Sequence, residues 1–189
     1  MLAGGRSSRF GRDKLAERYE GRPLLQHPIS RLFEVCDDVI VVLSTDAQEP
    51  PMPAGMRVVF ARDAIEGEGP LRGLSAGLDV ANAEWVVLAG GDMPDLQPAV
   101  LREMLRAARE TGAVAVTLTE GGTEQPLPCV LRALQAAEAV GELLQAGRRS
   151  LRDLLAAVAT VVVDEPTWTA LDPERRTLID VDEPTDVDR

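Results

Sequence analysis

The stretch EWVVLAGGDMP, residues 84–94, is an unbroken apolar run that ends in two glycines and an aspartate. Apolar residues in succession, without alternation, read as a strand buried on both faces of a sheet. The glycines and the acid mark the loop at that strand's carboxyl end. Directly downstream the period changes. Pro98 suits a first helical position and Gly112 a C-terminal stop, and Val100, Leu101, Met104, Leu105 and Ala108 share one face of a helix over 98–111. The same unit of strand, polar turn and helix recurs outward in both directions. DDVIVVLS (37–44), RVVFA (57–61), AVAVTL (113–118) and TVVVD (160–164) read as further strands buried on both faces. Leu71, Leu74 and Leu78 form a second helical stripe. Further helices are expected over 23–35, where Pro28 bends the helix or delays its start, over 132–145 and over 148–159. The expected fold is a three-layer α/β sandwich with a mostly parallel central sheet, a single domain over residues 1–189. PPMP (50–53) reads as a stiff surface turn and not as a linker.

At 189 residues and 45% hydrophobic, the chain is long enough for one sizeable core. A net charge of -11 argues against a general nucleic-acid binder. Yet Arg6, Arg9, Arg12 and Lys14 cluster against Asp13 alone, a local cationic patch suited to a small polyanion. Lys14 is the one lysine in a chain that otherwise uses arginine. A lysine delivers a point charge to a phosphate where arginine delivers a planar fork; biased codon usage is the bland alternative. Cys36 and Cys129 sit in apolar settings and read as core residues in a reducing compartment. No run is apolar enough to span a bilayer and no signal peptide precedes the first motif, so the expected location is the cytoplasm, without membrane or nucleic-acid partners.

In α/β sheets, ligands collect at the carboxyl ends of the strands, and the polar clusters of this chain follow strands. Gly4 and Gly5, in GGRSSRFG (4–11), allow close backbone approach, and successive amides there can cradle phosphate oxygens, with Arg9 and Lys14 adding charge. The spacing is neither a P-loop nor a dinucleotide fingerprint. Asp92, in AGGDMP (89–94), can hold Mg²⁺ against a phosphate or act as a turn aspartate. Gly69, in EGPLRGL (68–74), opens a helix whose N-terminus can take an anion or pack on a base; an ordinary Gly-Pro helix start reads equally. Asp63 either bonds a nucleoside or is a surface acid. In LIDVDEPTD (178–186), alternation places Asp180 and Asp182 on one side of an extended strand, where they bind a cation or lie solvated. His27, the one histidine, reads as structural.

Taken in order, LAGGRSSRFGRDK, GRPLLQH, EGPLRGL, GGDMP, EQPLPCVLR and IDVDEPTD resemble the molybdenum cofactor guanylyltransferases of the MobA type, within the nucleotidyltransferase group with a Rossmann-like fold. The resemblance runs nearly end to end. It implies transfer of GMP from GTP to the terminal phosphate of molybdenum-molybdopterin, with release of pyrophosphate and with Mg²⁺ as cofactor. By match to the motifs, Leu2, Ala3 and Gly4 contact guanine and Gly5 the phosphates. Arg9 and Lys14 neutralise developing charge, Ser44, Asp63 and Gly69 line the nucleotide pocket, and Asp92 holds Mg²⁺. Proteins that insert molybdenum and apo-molybdoenzymes are the partners the family implies.

Two features depart from that pattern. Relatives usually have several residues ahead of LAGG, forming the central strand; here only Met1 precedes Leu2. Either the start lies upstream, or the strand is truncated and leaves neighbouring backbone groups unpaired, at a cost in stability. Asp180 and Asp182, which fall in the pterin-substrate segment, stand where some members carry asparagines. Asparagine can donate to a phosphate and aspartate cannot, so Asp182 is expected to join Asp92 as a metal ligand. The rival readings are a cytidylyltransferase for the same pterin, a sugar-phosphate or isoprenoid nucleotidyltransferase, and a non-catalytic pterin carrier on the same fold.

Overall fold

The computed structural model describes residues 1–3, 14–50, 52, 55–63 and 68–182. The N-terminal part forms a hairpin of β1 (Arg18–Tyr19) and β2 (Arg22–Pro23), then α1 (Gln26–Leu32), β3 (Val39–Ser44), β4 (Val58–Asp63) and α2 (Pro70–Val80). The remainder runs β5 (Trp85–Leu88), α3 (Pro98–Thr111), β6 (Ala115–Glu120), β7 (Thr123–Arg132), α4 (Ala133–Gln145), α5 (Leu151–Ala157), β8 (Thr160–Val163) and α6 (Glu165–Leu171). Pro28 lies in the first turn of α1, where a missing N–H breaks no intrahelical bond, so the helix tolerates it. That helix covers only the middle of the expected 23–35.

The sheet is mixed. β3 and β4 pair in parallel, and a second ladder runs β5-β7-β6-β8, with β7 antiparallel to β5 and β6 and with β6 parallel to β8. Leu2 joins the two ladders through parallel bridges to Val42 and Gly90. Its N–H donates to Ala89 at 2.9 Å, and the N–H of Ala3 donates to Val42 at 2.9 Å. The Asp-free apolar segment at the start of the chain thus lies at the centre of the sheet.

Each face of the sheet carries its own core, which is why the strand sequences are apolar without alternation. On one face α1 and α3 press Ile29, Leu32, Leu101 and Met104 against Val41, Val116 and Val130, and α6 adds Trp168. On the other, α2, α4 and α5 press Leu71, Leu74, Val140 and Leu154 against Leu88, Ala115, Cys129 and Leu131. β4 departs from the expectation of two buried faces: it is an edge strand among the described residues, with Val59 47% exposed. Burial pushes the Cys129 thiol up to about 12, which keeps it protonated and unreactive.

β7 was not legible as a strand, because Pro126 and Pro128 remove two ladder donors. The structure accommodates them with a register jump between Val116 and Leu118 of β6, a bulge opposite the proline segment. Thr117 fills the gap by donating its hydroxyl to the carbonyl of Gln125.

The central ladder reaches Met1, whose nitrogen donates to the carbonyl of Ile40 at 2.8 Å. By the two-residue alternation of a strand, the N–H of Ile40 and both backbone groups of Val87 point the same way as the bonded Val42 and Ala89. They open on a cleft of about 790 Å³ walled by Cys36, Ile40, Trp85, Val87 and Arg109, among others. This cleft lies at the amino ends of the strands, opposite the end where the glycine loops and acids gather.

His27 anchors the β1–β2 hairpin. Its Nε2 donates to the Tyr19 carbonyl at 2.7 Å, and its Nδ1 accepts from Arg22 at 3.3 Å, so the ring is neutral. Burial holds its pKa below the ordinary 6.5, and the Arg22 charge acts in the same direction. The unfolded chain therefore takes up a proton that the folded chain resists. Stability should fall as pH drops below 6.5. In His27→Gln that part of the slope should disappear from thermal melts recorded across that range.

Candidate functional site

The carboxyl ends of β3, β4 and β5 and of the segment 1–3 meet at one edge of the sheet. Ser44 closes β3 directly beside Asp63, which closes β4. Arg62 braces this corner by donating to the carbonyls of Thr45 at 3.1 Å and Ala47 at 2.7 Å.

Gly69 caps α2 with φ 85, a left-handed conformation natural to glycine. A Cβ there would stand 2.9 Å from the Arg149 carbonyl, which accepts from the N–H of Leu71 at 3.3 Å. Glu68 accepts from Arg72 at 2.8 Å, and its carboxylate lies 3.8 Å from Arg149. The turn before α5 thereby clamps the loop that opens α2. Gly73 and Gly77 lay that helix against Leu2 and Val42, so the helix opened by Gly69 packs directly on the central segment.

Asp92 follows β5 through Gly90 and Gly91. Its carboxylate folds back so closely on Gly90 that a Cβ at that position would strike Oδ1. Gly91 packs on the Leu2 carbonyl and donates its N–H to it at 2.8 Å. Gly90 is thus a steric requirement of the acid's position, and Gly91 of close packing on Leu25 and the Leu2 carbonyl. Gly90→Ala should cost about 1–3 kcal/mol of stability and displace Asp92. Melting temperature and metal-dependent turnover measured together should both fall in that variant.

Lys14 opens a short 3₁₀ turn and reaches between two carboxylates. Its Nζ lies 3.0 Å from Asp92 Oδ2 and 3.3 Å from Asp182 Oδ1. The lysine side chain is 12% exposed against 32% and 54% for the acids, so the cation is the most enclosed member. Among the described residues the C-terminal segment is tied here by a backbone bond from the N–H of Val181 to the carbonyl of Asp92 at 2.9 Å. Val181 is buried in a small cluster with Tyr19 and Leu24. Of the extended strand expected over 178–186, residues 178–182 form no ladder strand and the rest lies outside the described residues; Val181 turns inward while Asp180 and Asp182 are exposed. Partial enclosure raises the Asp180 carboxyl above its ordinary range, and the charges of Asp182 and Asp92 push the same way.

The donor chemistry of this cluster suits a small hard cation. Hard carboxylate oxygens approach a common point, glycine leaves room behind Asp92, and an ammonium stands where positive charge is wanted. Among the described residues no three acid, histidine or cysteine side chains form a complete cage. Two carboxylates leave most of an octahedral shell to water and phosphate, the usual arrangement for Mg²⁺ beside a nucleotide.

The structure therefore brings Leu2, Ala3, Lys14, Ser44, Asp63, Gly69, Asp92, Asp180 and Asp182 to the same edge of the sheet. Within that edge, Lys14, Asp92 and Asp182 form the directly bonded group. Gly4, Gly5 and Arg9 lie outside the described residues. Sequence reasoning missed Arg149, whose backbone fixes Gly69, because no local pattern ties residues so far apart. It also missed Val181, although the alternation in IDVDE carried the signal.

The chain is similar to known proteins over most of its length. Residues 1–162 match the MobA-like NTP transferase domain. A molybdenum cofactor guanylyltransferase of Pseudomonas entomophila is 35% identical over 164 residues, covering 85% of this chain and 83% of that protein. Among solved structures, molybdopterin-guanine dinucleotide biosynthesis protein A of Archaeoglobus fulgidus superposes with a TM-score of 0.78 at 20% identity, covering 100% of this chain and 93% of that one. The 2-C-methyl-D-erythritol 4-phosphate cytidylyltransferase of Thermus thermophilus superposes with a TM-score of 0.72 at 18% identity, covering 98% and 93%. The two structural likenesses establish the nucleotidyltransferase-like α/β fold; they do not choose the base.

Proposed function

The chain belongs to the MobA-like NTP transferase family, and from that premise we propose that it transfers GMP from GTP to the terminal phosphate of molybdenum-molybdopterin and releases pyrophosphate. The observation that carries the reading is the seating of Lys14 between Asp92 and Asp182, at the strand ends where this fold binds ligands. The guanylyltransferase relative at 35% identity supports guanine over cytosine.

The chemistry asks little covalent work of the protein. A pterin phosphate is already ionised, so no side chain need act as nucleophile or general base. Catalysis is then positioning and charge neutralisation. Leu2 and Ala3, with Gly4, lie against the base, Gly5 meets the phosphates, and Ser44, Asp63 and Gly69 line the nucleoside pocket. Lys14, with Arg9, faces the triphosphate. Asp92 and Asp182 would hold Mg²⁺, which would supply neutralisation of charge on the phosphoryl oxygens. Asp180 lies at the pterin side. We further propose that the chain works as one domain with a largely parallel sheet. Its setting is the cytoplasm, with molybdenum-insertion proteins upstream and apo-molybdoenzymes downstream.

Pyrophosphate release tests the reading. It should require GTP, Mg²⁺ and molybdenum-molybdopterin together, and CTP should not replace GTP. Release with CTP alone would turn the assignment to a cytidylyltransferase. Binding of the pterin without any release would turn it to a carrier.

A further inference from the structure

We propose that Lys14 is a resident stand-in for the divalent cation, occupying its place between Asp92 and Asp182 until a metal–nucleotide complex displaces it onto the triphosphate. The inference rests on the proposed function for the location of the metal, and it adds an exchange that the transfer reaction itself does not require.

The geometry carries it. The ammonium is within 3.0 and 3.3 Å of the two carboxylates that would otherwise present their oxygens to a metal. It is also the least exposed of the three groups. A divalent ion bound by the same pair would sit within about 4 Å of this ammonium, where like charges repel strongly away from bulk water. The two cations therefore compete for one seat. Asp92 and Asp182 lie far apart in the chain, and the backbone bond from Val181 to Asp92 holds the second near the first. An ammonium between them offsets their mutual repulsion and keeps the seat assembled. A triphosphate gives Lys14 an alternative anionic partner, so metal and nucleotide should bind together better than either binds alone.

This predicts the opposite of the usual effect of removing a residue from an active site. In Lys14→Met, which keeps the aliphatic stem and loses the charge, Mn²⁺ alone should bind at least tenfold more tightly than in the wild type, measured by electron paramagnetic resonance without nucleotide. Unchanged or weaker Mn²⁺ binding in that variant would overturn the proposal. Adding GTP should tighten Mn²⁺ binding in the wild type and do so much less in Lys14→Met. Should Lys14→Met fail to fold, the wild type decides the matter, because Lys14 is the one lysine in the chain. Acylation by an amine reagent, read at the Lys14 peptide by mass spectrometry, should accelerate severalfold as Mn²⁺ rises and frees the amine. A rate independent of Mn²⁺ up to saturation would overturn the proposal. Neither readout depends on GMP transfer, so wild-type turnover with GTP and pterin would still stand if the exchange failed.

Discussion

Lys14→Ala should fold normally and transfer GMP roughly a hundredfold more slowly, or slower still. The fold should survive because the lysine lies in a short 3₁₀ turn outside the two cores, and both of its carboxylate partners reach solvent. The loss falls on the reaction. In a site where water is displaced by substrate, removing one charged contact to the developing transition state costs about 2.7–4 kcal/mol. Arginine should not rescue fully, because its wide fork cannot fit the enclosed seat that a compact ammonium fills. Single-turnover pyrophosphate release, with circular dichroism as the folding control, separates the outcomes. Turnover within a few-fold of the wild type would remove Lys14 from the machinery.

Asp92→Ala should be more damaging, on the order of a thousandfold. This residue joins the loop after β5 to Lys14 and to the C-terminal tail. Its carboxylate meets Lys14, its position is imposed by Gly90, and its backbone carbonyl pins the tail through Val181. The alanine variant keeps the backbone bond and loses the carboxylate, so the defect should be chemical and not architectural. Excess Mg²⁺ should fail to restore the rate, because a ligand is missing and not merely weakened. Asp92→Asn keeps the shape and one acceptor oxygen and should retain more activity than alanine. A rescue of the alanine variant by millimolar Mg²⁺ would place the principal ligand elsewhere.

Much of this was legible in the chain. Unbroken apolar runs located β3, β5 and β6, because a sheet covered by helices on both faces needs no polar alternation. Pro98 and Gly112 framed α3, and Gly112 adopts the left-handed cap that glycine suits. β7 was hidden because prolines argue locally against a strand, whereas the structure tolerates them by a bulge against β6. α6 was missed even though Asp164 caps it and Pro166 stands in its first turn; a seven-residue helix gives too little periodicity to register. At the site, the acids and glycines announced themselves by position after strands. Their company did not. Nothing in the local sequence says that Lys14 reaches Asp182 from the far end of the chain, or that Arg149 closes over Gly69. Those contacts are consequences of topology: helix α2 packed on the central segment, and a tail returned to the carboxyl end of β5.

A crystal structure with a non-hydrolysable GTP analogue and Mg²⁺ tests the central claim most directly. The account predicts the triphosphate at the carboxyl ends of β3 and β5, Lys14 moved onto its oxygens, and the metal within bonding distance of Asp92 and Asp182. Nucleotide found elsewhere, or a metal that touches neither carboxylate while Lys14 stays between them, would contradict it.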